Sequence, residues 1–147
     1  MTVQTRAKLY SPALLGLATD LARFPLTDDL PLRGAARSRS CGGVMTLGIM
    51  LDEGGRIARI GMQVSACAVG QASATLLARG IIGAEPAAVR GAADALGAWL
   101  AGDGELPDWP ADLAPLVPAR AHPGRHGALL MPWKAACEAL STGAACR

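Results

Sequence analysis

Aromatic residues are scarce in this chain, at 3%, and its charges nearly balance, leaving a net charge of only +2. Nucleic-acid binding usually draws on a basic surface and on aromatic stacking platforms, and this sequence supplies neither. Long apolar runs are missing too. Although 51% of the residues are hydrophobic, many are alanine, and no uninterrupted stretch approaches the ~20 residues that cross a bilayer. Arg6 and Lys8 precede an apolar run, but Asp20 and Arg23 follow at helical spacing without a clear cleavage site. A signal peptide is therefore not expected. Four cysteines would suffice for two disulfides, yet the chain is too long and too apolar to read as a small disulfide scaffold. A reducing cytoplasm is the expected compartment. Also absent is any Ser/His/Asp arrangement, phosphate loop or pair of acids that would argue for a hydrolase or a kinase.

What is present fits one ordinary domain. A chain of 147 residues can bury a real core without staples, so 1–147 reads as a single domain with 143–147 as a frayed tail. Ser11 followed by Pro12 is a good helix start, a capping hydroxyl before a residue that has no amide to leave unpaired. Leu14, Leu17, Ala18 and Leu21 then share one face, and Phe24-Pro25 ends the helix. Residues 26–39 read as a loop with a short edge strand around Leu30-Pro31-Leu32. From Val44 the period changes to two: Met45, Leu47, Ile49 and Leu51 on one side, then turn residues Asp52-Glu53-Gly54-Gly55, then Ala58, Ile60, Met62 and Val64. This predicts a β-hairpin.

Ser65 is a plausible cap for a helix reaching about Ile82, with Cys67 in its first turn and Gly83 behind it. A thiol at the positive end of a helix favours its thiolate, the form that binds metal or attacks sulfur. The alternative is that Cys67 is a small buried hydrophobe. Pro86 starts a further helix with Val89, Ala92, Ala93, Leu96, Trp99 and Leu100 as a core stripe before Gly102. Residues 103–125 carry five prolines and read as little more than one helical turn near Asp112-Leu113. A last helix is expected from Pro132 through Trp133 and Ala136 to Leu140. The order of elements describes an α+β domain, helices packed on a small antiparallel sheet of about three strands.

Cys41 comes just before the first strand of the hairpin and Cys67 just after the second, so pairing the strands brings both to one end of the sheet. Ser40-Cys41-Gly42, the hairpin, and Cys67 opening a helix with Ala68-Val69-Gly70-Gln71-Ala72-Ser73 resemble the NifU/IscU/SufU-type iron-sulfur cluster assembly scaffolds. Tyr10-Ser11 at the first helix and Leu129-Leu130-Met131-Pro132-Trp133-Lys134-Ala135 at the last are similar to the same family, so the resemblance spans nearly the whole chain.

The resemblance implies a NifU/IscU-like fold and a site where three cysteines with an aspartate or histidine hold zinc, iron or a nascent [2Fe-2S] cluster. It also implies a cysteine desulfurase as sulfur donor, an electron source, and acceptor proteins for the finished cluster. Such a protein is not an enzyme in the turnover sense, and acts as a monomer or homodimer. Cys41 matches the family's first ligand and Cys67 its second. Two departures stand out. Gly43 occupies the place of the aspartate, and Arg125-His126-Gly127 stands where the third cysteine is expected. Counted back from Pro132 with one extra residue, His126 takes that cysteine's place; counted without a gap, it matches a preceding histidine and Gly127 replaces the thiol. Either way Cys41, Cys67 and His126 form a three-donor set suited to zinc or iron, with a fourth position open. The alternative for His126 is an exposed loop histidine. Cys137 lies five residues beyond Pro132, about 7 Å along a helix rising ~1.5 Å per residue, too deep to reach the site, and reads as core. His122 is a reserve donor. Arg37, Arg39 and Arg125 either flank the site, favouring thiolates and an anionic cluster, or form a solvated face. Two other functions keep the fold: a zinc-ordered sulfur-transfer partner that accepts persulfide, and an interaction module that has lost metal binding.

Overall fold

The first helix begins as its capping residues predict. In the computed structural model, which describes residues 9–39 and 42–141, α1 (Pro12–Asp20) starts with the Ser11 hydroxyl accepting a hydrogen bond from the Leu14 amide at 3.2 Å. Leu14 and Leu17 are its buried residues. The expected hairpin is also present. Strands β2 (Val44–Leu51) and β3 (Ile57–Ser65) are antiparallel, with Val44 opposite Ser65 and Leu47 opposite Met62. Asp52 shapes their turn by accepting from the Gly54 and Arg56 amides at 2.9 and 3.0 Å, and Gly55 takes a φ of 80°.

Strand β1 (Leu32–Arg37) corrects the reading of 26–39 as mostly loop. It pairs antiparallel with the other side of β2, Leu32 opposite Ile49 and Arg37 opposite Val44, so the sheet order is β1-β2-β3. After Leu32, its core-facing positions are Gly34 and Ala36, whose side chains are too small to produce a hydrophobic alternation. Pro31 stays outside the strand.

The sheet is covered on both faces. On the inner face Met45, Leu47, Ile49, Ile60 and Met62 join the core. On the outer face Gly48 pairs with Gly61, and the strap 24–30 lies over them. A Cβ on Gly61 would fall 2.1 Å from the Pro25 carbonyl oxygen, and one on Gly48 would fall 2.6 Å from Leu30 Cβ. The Met62 amide donates to the Phe24 carbonyl at 2.8 Å, which fixes the strap to the edge of β3.

Helix α2 (Ala68–Gly80) runs through the centre, with buried residues from Val69 to Ala78. Thr75 Oγ1 donates to the Leu17 carbonyl at 2.7 Å and Ser73 Oγ to the Leu129 carbonyl at 2.6 Å. These bonds tie α2 to its neighbours on two sides. Helix α3 (Pro86–Leu100) buries Val89, Ala92, Leu96, Trp99 and Leu100 of the predicted stripe, while Ala93 is only partly buried. The proline-rich stretch carries more structure than a single turn: 3-10 helices span Ala114–Ala121 and Pro123–Arg125. The last helix, α4 (His126–Ser141), begins six residues before the expected start at Pro132, which lies inside it. Pro132 has no amide, so the carbonyl of Ala128 loses its helical partner. That carbonyl faces Gly70, where a Cβ would lie only 3.3 Å away. No helix among the described residues is long and apolar enough to cross a membrane.

Asp29 anchors the strap at the surface through Arg59. The hydrogen bond from Arg59, with a smaller contribution from Thr27, lowers the Asp29 carboxyl from 3.8 to about 2. A carboxylate whose pKa falls on folding stabilises the fold above its unfolded value and loses that contribution as pH drops through the folded value. Asp29→Asn is therefore expected to lower the urea midpoint at pH 7, by an amount that shrinks below pH 4 and vanishes only below pH 2. A difference that persists unchanged at pH 2 would contradict this account. Added salt should also reduce it, because the pair is exposed.

Candidate functional site

Three junctions meet around Ala66. The register that sets Val44 opposite Ser65 places the end of the β1–β2 loop beside the β3–α2 junction. A Cβ on Gly43 would lie 3.3 Å from Ala66 Cβ, 3.3 Å from the Ser65 carbonyl oxygen and 3.5 Å from Met131 Cε. One on Gly70 would lie 3.0 Å from Ala66 Cβ. Small residues thus let the loop, the start of α2 and the first turns of α4 approach closely. The described ends of the loop are held by Ser38 and Gly43, whose backbone N and O atoms bond at 2.8 Å, and by the Gly42 amide on the Ser38 carbonyl at 2.9 Å. Gly42 has a φ of 71°, which glycine adopts without strain.

Cys67 is the N-cap of α2, one position earlier than the expected first turn, and Ser65 belongs to β3. Its extended backbone (φ −67°, ψ 171°) lets its carbonyl accept from the Gln71 amide at 3.0 Å. Gln71 Nε2 in turn donates to the Ala66 carbonyl at 3.0 Å and fixes the turn before the cysteine. The Cys67 thiol is partly exposed, is in no disulfide and makes no capping hydrogen bond to a described residue.

His126 is the first residue of α4 rather than a loop histidine. Its ring is partly exposed, and Nε2 lies 2.8 Å from the carbonyl oxygen of Arg120. Two residues on, Ala128 touches the first turn of α2 at Gly70, so the helix starts that carry Cys67 and His126 are neighbours. Cys41, the third member of the set, lies outside the described residues. Among the described residues no three His, Cys, Asp or Glu side chains gather to hold a metal, so His122 does not join Cys67 and His126 in such a group. A thiol and an imidazole are donor types that thiophilic metals take.

Arg37 ends β1 opposite Val44, Arg39 is exposed on the adjoining loop, and Arg125 directly precedes His126. All three belong to segments at this end of the sheet. Cys137 is corrected from core to partly exposed. It lines a groove of about 760 Å³ between α3 and α4, with Arg90, Asp94, Trp133, Lys134 and Glu138. It lies eleven residues past His126, about 16 Å along the helix axis, so it remains remote from the site. Cys146 and the expected frayed tail lie outside the described residues.

No family model matches the sequence, and no curated protein resembles it closely enough to register. Solved structures do. The N-terminal part of a nitrogen-fixing NifU-like protein from Brucella abortus superposes with a TM-score of 0.85 at 27% identity, covering 93% of this chain and 95% of that one. A candidate iron-sulfur cluster assembly scaffold protein for the SUF system from Fervidobacterium islandicum AW-1 gives 0.79 at 22% identity, covering 91% and 98%. The second likeness speaks to the fold. The first joins fold and sequence over nearly the full length of both chains. With the hairpin, the capping cysteine and the α+β arrangement in place, the chain has the fold of the NifU/IscU/SufU-type scaffolds and resembles them along nearly its whole length.

Proposed function

We propose that the chain is an iron-sulfur cluster assembly scaffold that carries iron or a nascent [2Fe-2S] cluster on Cys41, Cys67 and His126 and passes it to acceptor proteins. The observation that carries this reading is the meeting of the α2 and α4 helix starts, which brings the segments bearing Cys67 and His126 together at an accessible end of the sheet. The likeness to NifU-like and SUF-system proteins supports the same role. Such a chain does not turn over a substrate. A cysteine desulfurase delivers sulfur as persulfide: the thiolate of a scaffold cysteine attacks the terminal sulfur, a new S–S bond forms, the old one breaks, and the desulfurase leaves as its thiolate. Each delivered sulfur then takes two electrons from an external donor to become sulfide. Release to an acceptor proceeds by thiolate exchange at the open coordination position, and a site with few protein donors favours that step.

Gly43 favours a second reading. Without the carboxylate, and with one thiolate fewer, the same residues suit zinc that orders Cys67 for persulfide transfer rather than a cluster as cargo. Anaerobic reconstitution with ferrous iron and sulfide separates the two. Iron and sulfide bound in near equal amounts, with the visible band lost in Cys67→Ser and His126→Ala, is the expected result. Tightly held zinc without sulfide would move the assignment to sulfur transfer. Binding of neither metal would leave an interaction module of the same fold.

A further inference from the structure

We propose that Arg120 is the positioning residue of the site: its carbonyl fixes His126 as the Nε2–H tautomer, so that Nδ1 is the atom presented to the metal. This deepens the scaffold reading and rests on His126 being a donor. A carbonyl oxygen only accepts, so the 2.8 Å contact with His126 Nε2 requires the proton on Nε2. A neutral imidazole then carries its lone pair on Nδ1. Coordination through Nε2 would mean breaking that bond and turning the ring.

The carbonyl is itself held in place. The Arg120 guanidinium carbon lies 5.5 Å from the ring centroid of Trp99, a side chain 4% exposed in α3. Beside it Gly102, with a φ of 86°, offers no side chain, and its Cβ position is 3.9 Å from Arg120 Nη2. On the same 3-10 helix Leu116 and Ala119 are buried. From there to α4 the backbone is knitted by the His122 amide on the Ala119 carbonyl and the Arg125 amide on the His122 carbonyl, at 2.9 and 2.8 Å. Arg120 is thus clamped to α3 by its side chain and to His126 by its backbone. Metal-bound histidines commonly have the other ring nitrogen held in this way, and loss of such a partner typically costs about 10–100-fold in metal affinity.

The test is long-range proton-nitrogen NMR of the His126 ring in the His122→Asn chain, which leaves one histidine, before and after addition of zinc alone. The apo ring should be a single Nε2–H tautomer, and zinc should move the Nδ1 resonance while Nε2 keeps its proton. Arg120→Ala should give mixed tautomers and weaken zinc binding about tenfold, and Arg120→Lys, which keeps a cation over Trp99, should restore the single tautomer. A merely structural role for Arg120 would leave the tautomer ratio unmoved. An Nδ1–H tautomer, or a zinc shift at Nε2, would overturn the proposal and leave the scaffold reading standing. A correct tautomer with no zinc shift at either nitrogen would instead remove His126 from the donor set.

Discussion

Alanine at Gly34 is expected to destabilise the fold by about 3 kcal/mol or more, beyond the usual range for a single added methyl group. The reason is that the obstacle is main chain. A Cβ on Gly34 would fall 2.0 Å from the Ala135 carbonyl oxygen and 2.7 Å from the Ala139 amide nitrogen, so α4 would have to lift off β1. Neither a rotamer change nor a neighbouring side chain can relieve that contact. Trimming Ala135 or Ala139 to glycine should therefore not rescue the variant, unlike an ordinary overpacked core. Urea unfolding followed by circular dichroism measures both effects. A loss under 1 kcal/mol, or rescue by Ala139→Gly, would mean that α4 is not seated on β1 in this way.

Trp133→Ala should cost about 3–5 kcal/mol, the range for deleting a fully buried tryptophan. Trp133 is 0% exposed, and its Nε1–H donates to Ser73 Oγ at 2.9 Å while that hydroxyl donates onward to the Leu129 carbonyl. The chain of bonds joins α2 to α4, the two helices whose starts carry Cys67 and His126. Trp133→Phe keeps most of the volume and the Ser73–Leu129 bond, so it should lose less, on the order of 1–2 kcal/mol. If the two variants were equally damaged, the hydrogen bond rather than volume would dominate. A small loss in both would show that the α2–α4 contact contributes little.

These helices show where sequence reading succeeds. Ser11-Pro12 and Pro86 mark helix starts because capping chemistry is local, and the β2–β3 hairpin is legible because its alternation and turn residues agree. Strand β1 is not legible: Gly34 was selected by the approach of α4, a tertiary demand that leaves no hydrophobic period behind. Pro132 misleads in the opposite way. A proline is expected in a first helical turn, yet Leu129, Trp133, Ala136 and Leu140, all buried, form a stripe that already begins before it. At the site, the position of Cys67 at a helix start could be read from the hairpin length and the helix that follows. The partner of His126 could not, since a backbone carbonyl has no signature in the sequence. Nor could the exposure of Cys137, which depends on how far α3 stands from α4.

Pro132 also divides α4 mechanically. Past it, the helix is bolted to β1 at Ala135 and Ala139; before it, one rung of the ladder is missing at the Ala128 carbonyl, and the turn that starts with His126 hangs on the rest by fewer bonds. On the proposed scaffold reading, the missing rung would let this first turn give way on the microsecond-to-second scale of local opening before the body of the helix leaves the sheet. Under that reading, loading and unloading would need only the motion of a single turn, without breathing of the folded core.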